Sequence, residues 1–88
     1  MATKKVTIAE GDFAGWSAEM HTGISANILL DLESGQMGRV FPALNKLVAS
    51  HDFKGIDGQP VADLLDAPVE ALTALLAAWY KETSLDPH

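Results

Sequence analysis

Residues 4–21 read Lys4-Lys5-Val6-Thr7-Ile8-Ala9-Glu10-Gly11-Asp12-Phe13-Ala14-Gly15-Trp16-Ser17-Ala18-Glu19-Met20-His21. Val6 and Ile8 alternate with Lys5 and Thr7, and β-branched residues dominate, which is the period-two pattern of a half-buried strand. Trp16, Ala18 and Met20 alternate in the same way with Ser17, Glu19 and His21. The segment between them, Glu10–Gly15, is rich in turn formers. The stretch therefore predicts a β-hairpin with one apolar face. A lone hairpin is marginal in water, so that face must be covered by helices from the rest of the chain.

The rest of the chain supplies them. Thr22-Gly23 breaks the alternation, and Ile24, Ile28, Leu29 and Leu32 then recur at helical spacing. This predicts a short helix over about Ile24–Glu33, capped by Ser25 or Thr22 and ended by Gly35. Val40, Phe41, Leu44, Leu47 and Val48 mark a second, amphipathic helix. Pro42 lacks an amide hydrogen and fits only the first turn, so the helix is expected to begin between Met37 and Phe41 and to run to about Ser50. In the connector Phe53–Val61, Asp57-Gly58 signals a tight turn, and Phe53, Ile56 and Val61 are expected to pin the segment to the core. Asp66 before Ala67-Pro68 predicts an N-cap followed by a first-turn proline. Glu70 and Lys81 complement the dipole of this last helix, whose buried stripe is expected to be Val69, Leu72, Leu75, Leu76 and Trp79. Residues 1–3 and 83–88 are expected to fray. The whole reads as one α+β domain over 1–88, mainly helical, with an N-terminal β-hairpin packed on about three helices. Its structural core is expected to include Val40, Leu44, Leu47, Leu72, Leu75, Leu76 and Trp79.

Composition narrows the function. Eighty-eight residues support one marginal core. The 48% apolar content argues against disorder. No cysteine is present, which removes disulfides and thiolate metal sites and leaves self-association or partner binding as the route to extra stability. Six Lys and Arg against twelve Asp and Glu give a net charge of −6. The cations are scattered, so neither nucleic acid nor an anionic membrane surface is an expected partner. The longest apolar run falls far short of the ~20 residues of a membrane span. No apolar stretch follows Lys4-Lys5 to make a signal peptide, and the chain is expected to remain in the cytosol where it is made.

The chemistry-bearing residues form no pattern of a reaction centre. His21, His51 and His88 lack metal-ligand spacing, and His51-Asp52 reads as a polar pair at a helix end. Asp57, Asp63 and Asp66 do not follow a calcium loop and read as turn and cap residues. The glycines fit no phosphate-binding motif, and the serines lack a nucleophile elbow. The expectation is a protein without catalytic residues, metal ligands or cofactor. Trp79 and Tyr80 point about 100° apart on a helix, which places Trp79 in the core and Tyr80 at its edge with a wet hydroxyl. Trp16, Phe53 and Tyr80 are the candidate partner-binding residues, because aromatic side chains carry much of the energy of protein interfaces.

The layout resembles the small tail assembly chaperones of long-tailed phages. The helix Leu44–Val48 leading into Ala49-Ser50-His51-Asp52-Phe53 is similar to that family's helix with its aromatic-bearing shoulder, where Phe53 stands in a region that commonly carries a tryptophan. Gly55-Ile56-Asp57-Gly58-Gln59-Pro60-Val61 is similar to its D-G-x-P-V connector. Leu64 to Leu72, followed by Leu75-Leu76-Ala77-Ala78-Trp79, is similar to its closing helix, and a short hairpin bearing Gly15-Trp16 precedes all of these. The resemblance implies a protein of the host cell cytoplasm that binds and solubilises the long, helix-rich tape measure protein. It further implies recruitment of major tail protein subunits, departure before the virion is complete, and an oligomeric form. The alternatives are a structural virion component, such as a neck or tail completion protein, and a small regulatory or antitoxin-like binding protein.

Overall fold

The computed structural model describes residues 2–83. Strand β1 (Thr3–Thr7) pairs antiparallel with β2 (Ser17–His21), with Val6 opposite Ala18 and Lys4 opposite Met20. Two further bonds carry the ladder beyond the strand end, Ile8 N–H to the Trp16 carbonyl at 2.9 Å and Gly15 N–H to the Ile8 carbonyl at 2.8 Å. The alternation works as predicted in β1, where Val6 and Ile8 are buried and Lys5 and Thr7 exposed; in β2 Ala18 and Met20 are buried as expected, but Ser17 on the opposite face is buried too. Gly11 and Gly15 close the hairpin at φ +90° and +93°, a region that side chains rarely enter. The Thr22 N–H and hydroxyl both donate to the Ala2 carbonyl, at 3.2 and 3.4 Å. Ala2 and Thr3 are thus held at the sheet and are not a frayed end. Thr83 is the last residue of the final helix, and the expectation for Met1 and residues 84–88 lies outside the described residues.

Helix α1 (Ala26–Leu32) is shorter than the predicted span, and Ser25 caps it by accepting from the Ile28 N–H at 3.3 Å. Gly35 follows it at φ +73°. Helix α2 (Met37–Leu47) begins within the expected window, but Pro42 lies in its second turn and not its first. The proline ring stands where an N–H would meet the Gly38 carbonyl, so α2 carries an interrupted backbone ladder. Arg39 ties the start of α2 to α1, with Nη2 2.7 Å from Asp31 Oδ1.

The largest departure comes next. The periodicity that predicts a helix to Ser50 fails at Val48, where the backbone turns extended (φ −87°, ψ 120°). Residues Val48–His51 form β3, antiparallel to β2, so the hairpin is two-thirds of a three-stranded sheet in the order β1-β2-β3. An unpaired β2 would leave a row of backbone donors and acceptors beside the core, and pairing with β3 satisfies them. His51 therefore sits in a strand, not at a helix end.

The connector closes with the Asp57-Gly58 turn: Gly58 N–H donates to the Gly55 carbonyl at 2.9 Å, and Gly55 N–H to the Gln59 carbonyl at 2.8 Å. A 3₁₀ turn, Leu64–Asp66, follows, and its cap is Asp63, which accepts from the Leu65 N–H at 2.9 Å. Asp66 lies inside this turn, and the Pro68 carbonyl accepts the first helical N–H bonds from Ala71 and Leu72. Asp66 therefore does not cap α3 as expected; it closes the 3₁₀ turn that Asp63 caps. Helix α3 (Val69–Thr83) packs along β1. Its buried face is Ala71, Leu72, Leu75 and Trp79; Leu76 is half-buried, and Val69 is 50% exposed. Val40, Leu44 and Leu47 of α2 are buried as expected, joined by Phe53 and Leu64. The architecture is α+β, with more helix than strand, built from three antiparallel strands and three α-helices.

Candidate protein-binding groove

Three separate segments meet at an open groove of about 580 Å³. The hairpin turn contributes Phe13 and Trp16, the connector contributes Ile56 between Gly55 and Gly58, and the start of α3 contributes Pro68, Val69 and Glu70. Each is placed by local backbone chemistry. Gly15 at φ +93° turns the chain back, with the Trp16 N–H donating to the Phe13 carbonyl at 3.0 Å. Asp57 Oδ1 accepts from the Gln59 N–H at 3.0 Å and, with Gly58 at φ +82°, holds the tight turn that carries Ile56 outward. Pro68 fixes the entry into α3, so Val69 faces outward from its first turn.

The floor is held from below. Trp16 meets Phe13 edge-on at 4.9 Å and Phe53 at 5.3 Å. Phe53 is 1% exposed and meets the His51 ring at 5.8 Å. The wall is tight as well, since a side chain at Gly55 would meet Val61 Cγ1 at 3.1 Å and Asp57 Oδ1 at 3.2 Å.

Ile56 is 91% exposed, the most exposed large apolar residue described. The expectation that it pins the connector to the core is therefore wrong: Phe53 is buried and Val61 half-buried, but Ile56 caps a turn whose tip must face water. A single exposed apolar side chain is ordinary, whereas one that joins Phe13, Trp16, Pro68 and Val69 in a continuous surface marks a contact site.

The predicted anchors separate. Trp16 lies in the groove. Phe53 supports Trp16 from the core and offers no surface of its own. Tyr80 is half-buried beside Trp79, ring to ring at 5.1 Å, eleven residues along α3 from Val69 and so about 16 Å away. Burial, and secondarily the charge of Glu33, push the Tyr80 phenol pKa above its ordinary value. Phe13, Ile56, Pro68 and Val69 are not among the predicted binding residues; Ile56 and Val69 are expected in the core, and the structure exposes both. An isoleucine inside a glycine-flanked turn was the available signal, because turn tips project into solvent.

Other polar groups are engaged structurally. Asp52 accepts from the Ser17 N–H at 2.8 Å and from the Ser17 hydroxyl at 3.3 Å, while His51 Nδ1 accepts from the Phe53 N–H at 3.1 Å. Serine, histidine and aspartate share one neighbourhood, yet the carboxylate holds the serine and not the imidazole, which is not the order of a proton relay. His21 Nδ1 is buried without a hydrogen-bond partner among the described residues. Among those residues, no group of three or more His, Cys, Asp or Glu is placed to hold a metal ion, and no helix is long and apolar enough to cross a membrane.

Compared with protein-family models, curated proteins and solved structures, the chain matches none of them.

Proposed function

We propose that this chain is a protein-binding module, and that it acts as a tail assembly chaperone that keeps tape measure protein soluble. Ile56 is the observation that supports the reading most directly. A 91% exposed isoleucine at the mouth of an apolar groove stabilises nothing within its own fold and gains only when a partner covers it. A long helical client with apolar stripes supplies such a cover. The net charge of −6 keeps a coated client dispersed, because like-charged particles repel. In this reading the protein works in the host cytoplasm, in many copies, recruits major tail protein to the coated client, and leaves before the virion is complete.

Co-expression with the tape measure protein tests the proposal. The expected result is soluble tape measure protein recovered in a complex, and its loss with Ile56→Asp. An equally insoluble tape measure protein with no recovered complex refutes the chaperone role. Detection of the chain in mature particles by mass spectrometry replaces it with a structural virion role.

A further inference from the structure

We infer that the groove accepts an amphipathic helix whose apolar stripe is flanked by lysine or arginine; this rests on the protein-binding reading above and adds the chemistry of the partner. The floor is apolar, and Glu70 is the one charged side chain that lines it. Around it stand further carboxylates. Asp57 Oδ1 lies 3.2 Å from where a side chain at Gly55 would begin, and the exposed Asp12 directly precedes Phe13 in the chain. Lys54, exposed, directly precedes Gly55 in the chain. Arg39 is engaged with Asp31, and Lys4 with Glu82 at 3.1 Å. Glu70 also offsets the positive end of the α3 dipole, which would otherwise favour an anionic partner. The groove therefore combines apolar contact with a negative rim, and the complementary segment carries leucine-like residues between cations.

A helix fits better than an extended strand. The lining comes from the hairpin turn, the connector and the start of α3, and it includes no strand edge. An extended segment pressed into this apolar floor would bury backbone groups without partners, whereas a helix satisfies its own. A second copy of the chain is a poor occupant, because two bodies of charge −6 repel one another.

The test uses designed helical peptides titrated into the full chain, with peptide anisotropy as the readout. One peptide has a leucine stripe flanked by lysine, one the same stripe flanked by glutamate, and one lysine flanks with serine in place of leucine. The lysine–leucine peptide is expected to bind at least about tenfold more tightly than either of the others. Ile56→Ser is expected to weaken it by about tenfold, and Asp57→Lys with Glu70→Lys to reverse the preference between lysine and glutamate flanks. Glu33→Lys, whose charge acts on Tyr80 toward the far end of α3, is expected to change nothing. Circular dichroism of each variant confirms the fold. Equal binding of the lysine- and glutamate-flanked peptides, an unchanged order in the double variant, or full binding by Ile56→Ser overturns the inference. So does a concentration-dependent dimer that Ile56→Ser abolishes, which would make a second copy the occupant. If these arms fail while the tape measure complex still forms, the chaperone reading survives without this partner chemistry. If the peptides behave as expected and no such complex forms, the groove stands and the chaperone role falls.

Discussion

Leucines 75 and 76 are chemically identical neighbours on α3, yet Leu75 is 0% exposed and Leu76 is half-buried. Truncating each to alanine therefore measures the phase of the helix. The Leu→Ala change removes three carbons, which at ~0.8 kcal/mol each is about 2.4 kcal/mol of transfer free energy when the side chain is fully enclosed. At Leu75 a sealed cavity adds about 1 kcal/mol, for a total of about 3–4 kcal/mol. At Leu76 roughly half of the transfer term applies and water fills the gap, so the cost is about 1 kcal/mol. A domain of this length has a total stability of about 4–13 kcal/mol. Leu75→Ala should lower Tm by about 15–25 °C and Leu76→Ala by about 4–8 °C. Urea melts followed by circular dichroism give both free energies, with an unchanged slope confirming that the unfolded reference is the same. A larger loss for Leu76→Ala than for Leu75→Ala would refute this packing and mean that α3 is rotated by one position.

Pro42→Ala restores an N–H facing the Gly38 carbonyl inside α2, and the proline ring it removes is exposed, so stability should rise by about 1–3 kcal/mol; a destabilised variant contradicts the interrupted ladder. The pKa of Tyr80 is raised by burial and then by Glu33, so the folded state holds its proton more tightly than the unfolded state does. Its contribution is complete below the ordinary tyrosine value and lost as pH rises through the folded one; Tyr80→Phe should flatten the loss of stability above about pH 10 in urea melts, and an unchanged slope removes Tyr80 as the cause.

The hairpin and the main helices were legible because their signals are local. Period-two alternation in 4–8 and 16–20 needs no tertiary context, and neither does the spacing of Leu72, Leu75 and Trp79. Strand β3 was not legible, because Val48 continues the helical spacing of Val40, Leu44 and Leu47 and no glycine or proline separates helix from strand. What converts Val48–His51 is the open edge of β2, a partner distant in sequence. Pro42 misled in the same way: the rule that places proline in a first turn yields when the buried side of α2, with Ala43, Leu44 and Leu47, holds the helix through the break. The candidate site was half legible. Trp16 stands out by residue type, whereas Phe53, expected both to pin the connector and to bind a partner, does only the first, and Ile56 is expelled by its turn from the core expected for it. Aromatic or aliphatic character alone does not distinguish an anchor from a core residue; the direction of the backbone does.

The chain has two tryptophans, one in the groove and one outside it: Trp16 lines the groove, while Trp79 is 3% exposed on the buried face of α3. Indole ¹⁵N labelling therefore gives one reporter at the groove and one remote from it. The measurement is the pair of indole N–H signals of the free chain and of the chain bound to tape measure protein. The groove account predicts that the Trp16 signal shifts or broadens on complex formation while the Trp79 signal keeps its position. A displaced Trp79 signal with Trp16 unchanged would contradict it and move the partner to another face of the domain.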